Sequence, residues 1–266
     1  YQDLLRLSVA TAGNDHRLGA NEAPPAVVSM FLGDELSAVL EAIDHGTAYS
    51  GAARTEMKLG VPALPRFLRD TTDRNRTSPF AFTGNKFEFR MVGSSNSIAC
   101  ANIMLNAAVA ESLREYADRL EGADDFDEAL HALIRKTIRE HKRIIFNGNG
   151  YDESWIREAT EKRGLLNLRT TPDALPYLLK EKNVDMLTRH GVYTKAELES
   201  RYEITLENYC KTVTIEARTM VDMARKEILP AVSGYVKELS DTLLAKAAAV
   251  PGLSGVYEKD LIARLS

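Results

Sequence analysis

Lys86, Phe87, Glu88, Phe89 and Arg90 alternate charged with aromatic side chains without a break. Successive side chains of an extended chain point to opposite faces. The run is therefore a strand with Phe87 and Phe89 on one face and Lys86, Glu88 and Arg90 on the other. The aromatic face calls for packing. The charged face suits either an ion-pair ladder on a solvated sheet or a surface that binds a charged ligand. Just upstream, Asp73, Arg74, Asn75, Arg76 and Thr77 lead through Ser78 and Pro79 to Phe80, adding two guanidiniums before the strand.

A second dense segment runs over residues 13–25, where Gly13, Asn14, Asp15, His16, Arg17, Leu18, Gly19, Ala20, Asn21, Glu22 and Ala23 precede Pro24 and Pro25. Two glycines, two asparagines and a proline pair disfavour a helix or a central strand, so an ordered loop is expected. That loop would present Arg17 and Glu22 from irregular backbone, where binding groups often sit.

Taken together, these segments resemble the glutamine synthetase family, specifically its long bacterial form called type III. Three elements carry the resemblance in family order: Arg17 followed by Glu22, Ala23 and Pro24; Arg74, Asn75, Arg76 and Thr77; and the Glu88, Phe89, Arg90 strand. The fold it implies is α+β, with part of a catalytic domain built of an antiparallel sheet with helices over residues 1–122. A mainly helical region follows over 123–266. The activity it implies is ATP-dependent glutamate–ammonia ligation through a γ-glutamyl phosphate, with Mg2+ or Mn2+ as cofactor and glutamate, ammonia and ATP as partners.

The resemblance also assigns roles. Glu88 would be one carboxylate ligand of the metal near the transferring phosphoryl group, in keeping with a hard cation's preference for oxygen. Arg90 would contact the glutamate side chain or that phosphoryl group, and Arg76 the phosphates of the nucleotide or of the intermediate. Arg17 would hold the substrate glutamate. Glu22 would be the carboxylate of a mobile loop that closes the site, binds ammonium and takes its proton.

Two departures from the shorter forms of the family bear on this transfer. The loop from Arg17 to Glu22 is one residue shorter, and Ala81 stands where those forms carry a further arginine five residues beyond the one matched by Arg76. Residues 36–72 read as an insertion. Type III enzymes are also much longer than 266 residues, so the chain reads as a carboxy-terminal portion, inactive alone. The remaining metal ligands and much of the nucleotide site would lie upstream. The full-length protein would form hexameric rings, paired into a dodecamer. Two other functions suit the same residues less well: a γ-glutamyl ligase for another amine, and a non-catalytic assembly or regulatory module.

Composition adds the outline of an intracellular globular protein, with 44% hydrophobic and 27% charged residues and a net charge of -4. No apolar run is long enough to span a bilayer, and nothing points to nucleic acid. A cytoplasmic location follows from the resemblance. Cys100 and Cys210 have no companion at metal-ligand spacing and are expected as buried free thiols in helices. Of the five histidines only His16 lies near the expected chemistry, where a loop-structuring role is expected of it.

Beyond Arg90 the pattern turns helical. Residues 97–120 are alanine-rich and amphipathic, and Asp125 with Glu128 offers a capping box before a helix ending near Lys142. Asn147 to Tyr151 lacks the lysine and hydroxyl of a phosphate loop and reads as an inter-helix turn. Helix is expected again over 154–163, and Pro172 opens another short one. Thr194 with Glu197 forms a further capping box ahead of apolar residues recurring up to Pro230. A partner helix over 231–249 would complete an antiparallel hairpin, before Pro251 and Gly252 break the pattern.

Overall fold

The computed structural model describes residues 1–49, 51, 56–57, 67–68 and 78–266. Arg76, with the rest of its Arg-Asn-Arg-Thr element, lies outside the described residues. The chain divides into two compact units, Tyr1–Tyr209 and Cys210–Ser266.

The first unit opens with two short helices, α1 (Gln2–Leu7) and α2 (Ala12–Arg17), followed by strand β1 (Met30–Phe31) and helix α3 (Gly33–His45). A two-stranded antiparallel pair, β2 (Glu56–Met57) and β3 (Phe67–Leu68), falls within the stretch read as an insertion. Strands β4 (Phe80–Phe82) and β5 (Phe87–Phe89) then form a hairpin, closed by the amide of Thr83 donating to the carbonyl of Lys86 at 2.9 Å. Gly84, at φ 97°, supplies the left-handed turn residue that this hairpin needs.

The main sheet has the order β1-β4-β5, and it is mixed rather than wholly antiparallel as expected. β4 pairs antiparallel with β5, but β1 pairs parallel with β4, Met30 opposite Phe80. The long connection through α3 permits this: parallel neighbours need a crossover of a dozen or more residues, whereas the tight turn between β4 and β5 forces reversal.

Register confirms the two-faced strand. Ala81 faces Glu88, while Phe80 faces Phe89 and Phe82 faces Phe87. The rings form a ladder, Phe80 stacking on Phe87 at 5.4 Å and meeting Phe89 edge-on at 6.0 Å. Phe89 packs against the buried cluster of Val9, Val28 and Met91. Phe87 is 48% exposed, because it sits where the hairpin turns back.

The helices after β5 follow their local signals. α4 (Ala99–Leu120) presents Ala101, Met104, Ala108 and Glu111, at three- and four-residue spacing, as its buried face. Asp125 caps α5 (Phe126–His141) by accepting from the amide of Glu128 at 3.0 Å. Asn147, in the expected turn, accepts from the amides of Leu32 and Gly33 and so satisfies the orphan donors where α3 starts. α6 (Glu153–Arg157) runs into a wider turn over Glu158–Lys162, and Thr170 and Asp173 form a reciprocal capping box at α7 (Thr171–Ala174). α8 (Glu181–Arg189) and the start of α9 (Lys195–Met223) complete the unit's largest core, in which Leu4, Met104, Leu175, Leu187 and Leu198 are almost fully buried. The expected box at α9 is formed: Glu197 accepts from the Thr194 amide at 2.7 Å while Thr194 accepts from the Glu197 amide at 3.3 Å.

In the second unit the expected reversal at Pro230 does not occur. Residues Ala224–Ile228 form one wide turn leading straight into α10 (Leu229–Ala249), with φ and ψ of −60° and −44° at both Met223 and Leu229. The Leu229 amide donates to the carbonyl of Ala224, five residues back. This slip of the hydrogen-bond ladder, next to a proline that cannot donate, lets the helix continue where a regular ladder would clash. The chain instead reverses after Val250, and α11 (Val256–Leu265) folds back on α10 with Lys246 paired to Glu258. The hairpin is therefore α10 with α11.

Cys100 and Cys210 are free thiols, but both are exposed rather than buried. Cys100 lies in the first turn of α4, before its buried stripe begins, and Leu198 is the buried residue of α9. Among the described residues no helix is long and apolar enough to cross a membrane.

Candidate active site

The segment over residues 13–25, expected to be irregular, begins as the helix α2. Thr11 caps it, its hydroxyl accepting from the Asn14 amide at 3.3 Å. Six residues are short enough for one capped end and one anchored side chain to outweigh the helix penalty of Gly13, which is roughly 1 kcal/mol. The anchor is Asn14, 3% exposed, whose Nδ2 donates to the carbonyls of Val9 at 2.8 Å and Met91 at 3.0 Å. Asp15 is held too: it accepts from the buried Arg6 guanidinium at 2.8 Å and from the Thr171 amide at 2.5 Å.

Arg17 ends α2. Its Nη1 donates to Asn14 Oδ1 at 3.2 Å and to the Met91 carbonyl at 3.0 Å, and its Nη2 donates to the Arg90 carbonyl at 3.3 Å. Arg17 thus binds the backbone where β5 ends, joining two segments more than 70 residues apart in sequence.

The chain then turns sharply. The amide of Ala20 donates to the Arg17 carbonyl at 3.0 Å, Ala23 to Ala20 at 3.2 Å and Gly19 to Pro24 at 2.9 Å. Glu22 stands exposed in this turn with φ 60°, the one non-glycine residue with positive φ among the described residues. Such a conformation costs on the order of 1–3 kcal/mol and persists only where neighbours impose it. Beyond the turn, residues 23–29 are buried, so the rim that carries Glu22 is fixed to the interior on its far side.

On β5, Glu88 Oε2 accepts from Arg90 Nε at 3.2 Å and Nη2 at 3.1 Å, and Lys86 Nζ lies 3.4 Å from the other oxygen. The Arg90 guanidinium holds the Glu88 carboxyl below the usual carboxylate range, keeping it ionised at neutral pH. Arg90 is 18% exposed, against 38% for Glu88 and 65% for Lys86, so the charged face grades inward from Lys86 to Arg90. Its backbone is also fixed, the Arg90 amide donating to the Pro79 carbonyl at 2.9 Å.

Residues 129–247 match the model of the glutamine synthetase C-terminal domain. The chain is 46% identical over 257 residues to a glutamine synthetase of Butyrivibrio fibrisolvens, covering 95% of this chain and 36% of that protein. It is 45% identical over 246 residues to the type-3 glutamine synthetase of Dictyostelium discoideum, covering 91% and 33%, and 44% identical over 249 residues to a glutamine synthetase of Bacteroides fragilis (strain YCH46), covering 91% and 34%. The chain carries a glutamine synthetase C-terminal domain. It spans about a third of the length of these curated relatives.

Four of the five expected site residues fall among the described residues. Arg17 and the backbone of Arg90 are in direct contact, Arg90 and Glu88 are paired, and Glu22 lies on the turn that starts from Arg17. His16 is exposed, next to Arg17 at the end of α2. Among the described residues no three histidine, cysteine, aspartate or glutamate side chains converge as a metal site. Glu88 is a single ionised oxygen donor, which fits one corner of a divalent-metal site and not a whole one.

Sequence reasoning missed Asn14 and Asp15, which hold α2 rigidly behind Arg17. The available signal was Thr11, a capping residue three positions before Asn14 that marks a helix start inside an otherwise loop-like stretch.

Proposed function

We propose that this chain supplies one flank of the active site of an ATP-dependent glutamate–ammonia ligase of type III. In that reaction the γ-phosphoryl group of ATP passes to the side-chain carboxylate of glutamate, and ammonia then attacks the acyl carbon and expels phosphate. Both steps gather negative charge, so fixed cations and preorganised dipoles carry most of the catalysis.

Arg17 and Arg90 supply that positive charge, and the junction of their segments is the observation that carries the proposal: the Arg17 guanidinium is bound to the carbonyls of Arg90 and Met91, at the end of the strand that bears Arg90. Arg90, with its fork aligned by Glu88, faces the glutamate side chain or the acyl phosphate, where planar donors match paired oxygens. Arg17 directs its remaining donor capacity to the substrate glutamate. Glu22, on its constrained turn, binds ammonium, takes one proton and covers the acyl phosphate against water. Arg76 is assigned to the phosphates. Glu88 would hold Mg2+ or Mn2+ as one oxygen donor, with further ligands from outside the described residues, and the bound ion would supply charge neutralisation at the phosphoryl group. The full-length protein is proposed to be a cytoplasmic ring-forming homo-oligomer, hexameric and paired.

The test separates the two carboxylates in the full-length protein. Glu88→Ala should weaken metal-dependent phosphoryl transfer, while Glu22→Ala should lower glutamine formation and leave ATP binding intact. Equal loss of ATP binding in both variants would refute these separate roles.

A further inference from the structure

Asn14 is used completely. Its Nδ2 spends both hydrogens on the carbonyls of Val9 and Met91, and its Oδ1 accepts from Arg17 Nη1 at 3.2 Å. Two acceptors on one side and a cation on the other fix which amide atom is which, because the reverse orientation would set oxygen against two carbonyls and an amino group against a guanidinium. The side chain is 3% exposed. It therefore joins three pieces of backbone in a water-poor setting: the exit of α1, the body of α2 and the exit of β5. Met91 O receives both Asn14 and Arg17, so the two side chains and the end of the Arg90 strand share one acceptor.

A second observation points to the same place. Gly93 lies where a Cβ would come within 3.3 Å of Asn14 Oδ1 and 3.2 Å of Asn96 Nδ2. Asn96 in turn donates to the cap Thr11 at 3.4 Å. The chain after β5 passes so close to Asn14 that a Cβ at residue 93 would press on its Oδ1 and on Asn96, each of which would have to give by a few tenths of an ångström.

We propose that Asn14 is a positioning residue for glutamate binding: it sets the Arg17 guanidinium against the end of the Arg90 strand, and Gly93 leaves the room for it to do so. The proposal rests on the reading of Arg17 as a substrate-binding residue. Asn14 itself touches no substrate. A displacement of about 1 Å in a group that orients a reactant lowers rates on the order of 100-fold, which sets the scale of the loss expected once Asn14 no longer holds Arg17.

The experiment is steady-state kinetics of the full-length protein with glutamate and ATP varied separately, for Arg17→Ala, Asn14→Asp, the double variant and Gly93→Ala. Asn14→Asp keeps the shape but turns an oxygen toward the Val9 and Met91 carbonyls. It should lower kcat/KM for glutamate on the order of 10- to 100-fold while the KM for ATP changes less than about two-fold. The double variant should be no worse than Arg17→Ala, since a residue acting through another adds nothing once the other is gone. Gly93→Ala removes no polar group, so it gives a milder form of the same selective loss even if Asn14→Asp fails to fold.

Additive losses in the double variant, or an equal loss toward ATP and glutamate in Gly93→Ala, would overturn the proposal while leaving the role of Arg17 intact. A silent Arg17→Ala would overturn the reading of Arg17, and with it the role of Asn14 as its support.

Discussion

Glu111 is a buried carboxylate that accepts from three side chains, and removing its charge should loosen α8 from α4. It is 2% exposed and accepts from Arg114 Nε at 3.1 Å and Nη2 at 2.9 Å, from His190 Nε2 at 2.7 Å and from Arg189. The Arg114 hydrogen bonds, with His190 and Arg189, hold its carboxyl well below the usual range, from about 4.5 to about 2. At about 1.36 kcal/mol per pH unit, that difference corresponds to about 3 kcal/mol. Arg114 and Arg189 are 39% and 48% exposed, so screening leaves about 2 kcal/mol, or about 30-fold in an opening equilibrium. The perturbation is Glu111→Gln, which keeps the shape, and the assay is hydrogen exchange of peptides from α4 and α8. Exchange in the variant should be about 30-fold faster at neutral pH. A depressed carboxyl stabilises the folded state above its unfolded value and stops doing so as the pH falls through its folded value. The difference between variant and parent should therefore be full above about 4.5 and fade toward about 2. Exchange rates within two-fold of each other at pH 7, or a difference unchanged at low pH, would refute the reasoning.

Two further outcomes follow from single contacts. Arg6 is 1% exposed and donates to the Leu168 and Arg169 carbonyls and to Asp15, so Arg6→Met should leave the Asp15 carboxylate without its counter-charge and two carbonyls without their donor. The expected loss is about 3–5 kcal/mol, read as a lower urea midpoint for the first unit. Thr194→Ala removes one half of the capping box that starts α9, and should cost about 1 kcal/mol, read as faster exchange confined to the first turn after Lys195.

Much of the fold was legible where a local signal and an apolar stripe agreed. The Thr194 box, the Asp125 cap and the stripe of α4 located three helices because each rests on contacts within a few residues. The alternating β5 run located the Glu88 and Arg90 pair for the same reason. Two of the misreadings were of features set by distant groups. The six-residue helix that carries Arg17 depends on Asn14 reaching Met91, and that partner is 77 residues away. The parallel pairing of β1 depends on how the intervening crossover returns the chain. At Pro230 the continuous helix depends on the Leu229 amide reaching five residues back, a choice of ladder that composition does not encode. The exposure of Cys100 and Cys210 likewise reflects which faces find a cover, not residue type.

In the proposed site, Arg17, Glu22, Glu88 and Arg90 form one flank of a glutamate–ammonia ligase. The most direct measurement is glutamine formation from glutamate, ammonium and ATP by the full-length protein and by Arg90→Lys. Lysine keeps the charge but not the two-pronged contact that Arg90 makes with Glu88 at 3.1 and 3.2 Å. The parent protein should form glutamine, and the variant should lose kcat/KM for glutamate on the order of 100-fold with the oligomer unchanged. An Arg90→Lys variant within about three-fold of the parent would contradict this reading.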